Sequence, residues 1–256
     1  MSEPIGARLI YKMSGLRMTM NTGLVFIMFW KPQSVVVYVQ PARPAGRKRR
    51  QSSYRATLSE FPELGHVHNI TNVYRRADAD TVAAGSGWYA VAHNIAHEQA
   101  RRYGLTFSQC AGIIAALSPS TAWGRNVTLA ETMCSTGDAS HPYGLCIDRA
   151  RAIRNGGHAE SILGGRKVRS FYANIVSPTV AGTVTIDRHA VAAAWGTVHV
   201  PDKILERAGA YQRVAGAYRT AARQLELLPH QLQAIVWVQW RQETGADVHD
   251  YTGEEF

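Results

Sequence analysis

Residues 162–175 read Ile162-Leu163-Gly164-Gly165-Arg166-Lys167-Val168-Arg169-Ser170-Phe171-Tyr172-Ala173-Asn174-Ile175. Two glycines form a turn that delivers a basic triplet into the first turn of a helix. Glycine lets backbone come close to a ligand and turns its N–H groups outward. Cations at a helix N-terminus oppose the helix dipole, so folding alone does not favour Arg166, Lys167 and Arg169 there; a bound anion offsets that cost. Between residues 148 and 170 stand six basic residues and only two acids, Asp148 and Glu160. The plain alternative is a solvated basic face.

Two further segments carry chemistry. Upstream, Ile113-Ile114-Ala115-Ala116-Leu117-Ser118-Pro119-Ser120-Thr121-Ala122-Trp123-Gly124-Arg125-Asn126 is an apolar helix, a small-polar turn and a second helix start. Such an N-terminus, with Ser and Thr hydroxyls beside it, suits a phosphate or a polar base edge. It also reads as a plain helix corner capped by Ser118 or Ser120. Downstream, Val184-Thr185-Ile186-Asp187-Arg188-His189-Ala190-Val191 puts an Asp at the start of an apolar helix, twenty residues after Lys167. An N-cap is a sufficient reason for that Asp.

Around these segments the pattern is helical from residue 70 onward. Asp78 and Asp80 open a helix on which Trp88, Val91, Ala92, Ile95, Ala96, Gln99 and Tyr103 recur at steps of three and four, and Gly104 ends it. Ser108 opens the next, and Pro119 stops it. Others are expected near 122–135, 145–155, 166–176, 187–196, 203–224 and 230–243. The expected fold class is all-α, with about eight to ten helices over residues 57–256.

Residues 1–56 differ. They hold ten Lys/Arg against one acid, whereas the remainder carries equal numbers of each, so the leader holds the whole +9 surplus. Its apolar runs at 23–30 and 34–39 are too short to span a membrane and read as two short strands or a hairpin. Residues 41–53, with Arg47-Lys48-Arg49-Arg50, read as a linker or as an arm along phosphates. Cys110, Cys134 and Cys146 form no C-x-x-C pair, which argues against a disulfide scaffold and a cysteine metal site. His93 and His97 sit at a metal-binding spacing, but no third ligand is evident. The run containing Gln231, Trp237, Gln239, Trp240 and Arg241 reads as an amphipathic helix packing two Trp.

The three segments, in this order, resemble the helix-hairpin-helix DNA glycosylases of the endonuclease III superfamily. Leu117-Ser118-Pro119-Ser120-Thr121 is similar to that family's Leu-Ser-x-x-Thr turn, Leu163 to Arg169 to its glycine hairpin, and Ile186-Asp187-Arg188-His189 to its V-D-x-H helix start. The hairpin departs from the family in having Gly-Gly for Gly-x-Gly and no Pro. The chain is also similar to actinobacterial-phage proteins that carry stretches like Gly85 to Tyr89, Leu117 to Asn126, Lys167 to Asn174 and Asp187 to Ala190.

The resemblance implies a glycosylase-like helical domain in which Lys167 is the nucleophile and Asp187 the catalytic carboxylate. It implies DNA contacts at Gly164, Gly165, Arg166, Arg169, Ser118, Ser120, Arg125 and Arg188, and a base pocket of Trp123, Asn126, Tyr172 and Asn174. The expected partner is DNA, bound by a cytoplasmic monomer without metal, cofactor, iron–sulfur cluster or membrane contact. Base excision competes with a non-catalytic DNA-binding role and with a base-modifying enzyme.

Overall fold

The computed structural model describes residues 62–201 and 203–245, with side chains from 65, together with the strands of the N-terminal segment. The chain divides into two units, Met1–Gly65 and His66–Phe256.

The first unit is an antiparallel meander of β1 (Leu9–Lys12), β2 (Gly15–Thr19), β3 (Leu24–Lys31), β4 (Ser34–Pro41) and β5 (Tyr54–Ala56), in sheet order 1-2-3-4-5. The two expected strands are β3 and β4, aligned from Leu24 opposite Pro41 to Lys31 opposite Ser34. Both are rich in β-branched and aromatic residues, which pack well on a pleated surface. Beyond Pro41, the expected linker and its basic run lie outside the described residues.

The second unit is all-helical. Ten α-helices, α1 (Pro62–Arg76), α2 (Ala79–Tyr103), α3 (Phe107–Ala116), α4 (Trp123–Thr136), α5 (Gly144–Arg154), α6 (Ala159–Ile162), α7 (Arg166–Val176), α8 (Arg188–Trp195), α9 (Ala210–Gln224) and α10 (Pro229–Thr244), account for the expected bundle. Asp78 accepts from Thr81 N as the cap of α2. Thr106, rather than Ser108, caps α3, through a reciprocal box with Gln109. The single helix expected over 203–224 is interrupted: a 3-10 turn at Ile204–Glu206 gives way at Gly209, φ +76°, to α9.

Two apolar cores form. One gathers Ile113, Ile114, Leu117, Met133, Ile153 and Ile175 from α3, α4, α5 and α7. The other gathers Ile70, Val73, Val191, Tyr218, Leu232 and Val236 from α1, α8, α9 and α10. Helix α10 serves both, since Ala234 belongs to the first core and Leu232 and Val236 to the second. It lies close against α2 at Gly85, where an added Cβ would stand 2.6 Å from the Ile235 nitrogen. Two turns of backbone cannot yield there as a flexible side chain would.

Gly85→Ala should therefore destabilise by about 1–3 kcal/mol through overpacking. At roughly 2–4 °C per kcal/mol this lowers Tm by several degrees. Gly87→Ala is the control: nothing lies within 4 Å of its added Cβ. Replacing a helix-interior glycine there should hold or raise Tm. Equal melting of the two variants would refute the close-packing account.

Candidate active site

The polar segments converge on one cavity beside the first core, whose Tyr89, Phe171 and Ala234 line it. A cavity of about 480 Å³ is enclosed by α2, the α3–α4 turn, α7, the start of α8 and α10. Ser118, Ser120, Trp123, Asn126, Lys167, Asp187 and Arg188 all line it.

The Asp187 carboxylate is fixed at both ends. Oδ1 accepts from Ala190 N at 2.7 Å, which makes it the cap of α8. Oδ2 accepts from Trp237 Nε1 at 3.0 Å. The helix dipole favours an anion at that position. Across the cavity, Lys167 stands in the first turn of α7, with Nζ 5.9 Å from the Phe171 ring centre. It makes no ion pair within 4.0 Å among the described residues. Burial lowers the Lys167 pKa, against the opposing pull of Asp187. His189, on the same wall, is also lowered by burial.

Aromatic rings form the remaining wall. Trp88 is the hub, with ring centres 4.6 Å from Trp123, 5.7 Å from Phe171 and 6.2 Å from Trp237. Arg241 lies 4.8 Å over the Trp237 ring. Trp237, Trp88 and Trp123 are only half-buried, whereas Trp240 is packed into the core. The expectation that both Trp of α10 are core residues thus holds for Trp240 and is corrected for Trp237.

Two buried amides meet the cavity. Asn126 is 1% exposed, and its Oδ1 has no hydrogen-bond partner among the described residues. Gln233 ends a polar chain. Thr183 Oγ1 donates to Asn174 Oδ1 at 2.9 Å, and Asn174 Nδ2 donates to Thr185 Oγ1 at 3.0 Å. Tyr89 Oη shares its proton between Thr185 Oγ1 at 2.8 Å and Gln233 Oε1 at 3.1 Å. With its oxygen engaged by Tyr89, Gln233 keeps its amide N–H groups as donors at the cavity wall. Burial raises the Tyr89 pKa, which keeps the phenol protonated in this chain.

The other predicted site residues lie elsewhere. Gly164 and Gly165 form the turn before α7; Gly165 has φ +73°, a conformation that disfavours side chains. The Arg149 guanidinium fills the space a Gly164 side chain would need, with Cζ 2.7 Å from the added Cβ. Arg166 and Arg169 line a second concavity, not the first. Arg125 is exposed on α4, off the cavity. Tyr172 is turned away from the cavity, its hydroxyl 2.8 Å from Ser108 Oγ, and it faces the second concavity. Asn174 stands behind the wall and braces Thr185. His93 is tied to Ile175 O at 2.8 Å, and His97 stacks on Phe107.

The two bonds to Asp187 make Asp187→Asn more than a test of charge. The Asn carbonyl can still cap α8, but its NH₂ then faces the Trp237 N–H, two donors without an acceptor. The expected destabilisation is about 1–3 kcal/mol. Adding Trp237→Phe removes the stranded donor and should restore most of the lost Tm. A single Asn variant that melts like the parent would mean that the Trp237 bond contributes nothing.

In comparison with known protein families, residues 56–244 match the family of unknown function DUF7178. No curated protein and no solved structure matches the chain.

Proposed function

The chain belongs to the DUF7178 family, and we propose that it acts on DNA, taking a damaged or modified base into the cavity and cleaving its N-glycosidic bond. The observation that carries this reading is the meeting of Lys167 and Asp187 on one aromatic-walled cavity. An enzyme that works on a base must take it out of the stack. Trp88, Trp123, Phe171 and Trp237 offer ring faces for it, and the Asn126 and Gln233 amides offer an acceptor and a donor to its edge. The cavity's volume lies within the ~300–1,000 Å³ of ordinary small-ligand sites. Its lining carries Lys167, Arg188 and Arg241 against Asp187, a cationic surplus that suits a phosphate-bearing substrate. The hairpin before α7 and the position of Asp187 agree with the glycosylase resemblance.

The chemistry follows from the two groups. As the C1′–N bond breaks, its electron pair leaves with the base and positive charge develops on the sugar. The anchored Asp187 carboxylate stabilises that charge without reorganising. Neutral Lys167 attacks C1′ and forms the C1′–Nζ bond. The amine gives up a proton as the base gains one, and ring opening yields a Schiff base. The lowered Lys167 pKa supplies the neutral amine at lower pH than an exposed lysine would. A second reading, DNA binding without catalysis, draws support from Asp187, both of whose oxygens already serve the fold.

Borohydride trapping on a duplex with an abasic site separates the two. The catalytic reading expects a covalent protein–DNA adduct that is lost in Lys167→Ala. The trapping rate should rise with pH, because only the deprotonated amine attacks, with a midpoint below the ordinary 10.5. Duplex binding without any adduct would overturn the enzyme and leave the DNA-binding protein.

A further inference from the structure

Helix α7 has two working faces. Lys167 and Phe171, one turn apart, face the cavity described above. Arg166, Arg169, Ser170, Ala173 and Val176, at steps of three and four, face a second concavity of about 580 Å³. Its opposite wall is α9, through Tyr211, Gln212, Ala215 and Arg219, again at helical steps. Small side chains, Ser170, Ala173 and Ala215, line the groove between the two helices.

The rim of this groove carries three guanidiniums, Arg166, Arg169 and Arg219, against one carboxylate, Glu160. None of the four belongs to an ion pair among the described residues. Acids elsewhere in the unit do pair with arginines, as in Arg76 with Glu243 and Arg102 with Glu131. Arg169 is held in place, its Nε donating to Leu163 O at 2.8 Å. That bond anchors the guanidinium at the hairpin and leaves its terminal NH₂ groups for another acceptor. Like charges gathered around a concavity repel until an anion enters, and the planar guanidinium fork matches phosphate oxygens in pairs.

We infer that the α7–α9 groove binds phosphate oxyanions, and that these are backbone phosphates of the nucleic acid whose nucleotide occupies the first cavity. The source of the phosphates rests on the function proposed above. A helix is about 10 Å thick, and a strand in duplex DNA advances about 3.4 Å per nucleotide. The two sites lie on different faces of α7, so the groove takes phosphates that flank the extruded nucleotide at about the width of a helix. Arg219 joins the interface from α9, fifty residues along the chain from Arg169.

The test uses the full chain with a fluorescent duplex containing an abasic site, titrated over a range of salt. Arg219 is exposed and makes no hydrogen bond among the described residues, so Arg219→Gln should fold normally. It should weaken binding about tenfold and reduce the salt slope by about one. Arg219→Lys should recover part of the loss. Arg223→Gln, an equal charge change one turn along, should alter affinity less than twofold. Borohydride trapping at subsaturating DNA should fall in Arg219→Gln in step with its affinity and stay at the parent level in Arg223→Gln. Equal effects at Arg219 and Arg223 would overturn the groove. Thermal stabilisation by inorganic tripolyphosphate that needs Arg219, with DNA binding that does not, would make it a site for free phosphates and overturn the strand assignment. Arg219-dependent binding without any trapping would keep the groove and remove only the enzyme.

Discussion

Helix α10 lies against α2 with the Ile235 backbone over Gly85, and the site depends on that contact. An interior this dense transmits any displacement. A wider separation would lift Gln233 away from Tyr89 and Trp237 away from both Trp88 and Asp187. The same helix closes both cores, and the cavity lies against the first, with Tyr89, Phe171 and Ala234 in its wall.

Lys167 breaks two rules of folding at once. It is a cation in the first turn of a helix, and its charge is partly removed from water without an ion-pair partner among the described residues. Both placements work against stability. Sequences that are otherwise locally consistent concentrate such conflicts at functional positions. Asp187 shows the opposite arrangement: the fold and the proposed chemistry both want a carboxylate there. Its two hydrogen bonds hold it in one orientation while it still faces the cavity. The polar chain from Thr183 to Gln233 works the same way, converting buried hydroxyls into a fixed direction for one amide.

Much of this was legible beforehand because it is local. Glycine and proline punctuation together with apolar periodicity placed α2 to α5 and α7, α8 and α10 close to their observed bounds. The hairpin, the basic triplet and the capping Asp were visible as strings of residues. Helix α1 was not singled out, because the expected pattern began only near residue 70. The break at Gly209 was missed because a single glycine within an apolar pattern is compatible with a continuous helix.

Local pattern establishes that the body is helical, where its turns fall, and that Lys167 and Asp187 each stand at a helix start. It could not say what those helices face. Periodicity places residues around a helix axis, but the axis carries no mark of its neighbours. Only packing put Trp237 against Asp187 and Trp240 into the core, fifty residues from the carboxylate and three positions apart from each other. Only packing split the basic triplet, sending Lys167 to one cavity and Arg166 and Arg169 to another. Adjacent residues on a helix point about 100° apart, so a continuous charge run in sequence becomes two separate surfaces once helices stand on either side.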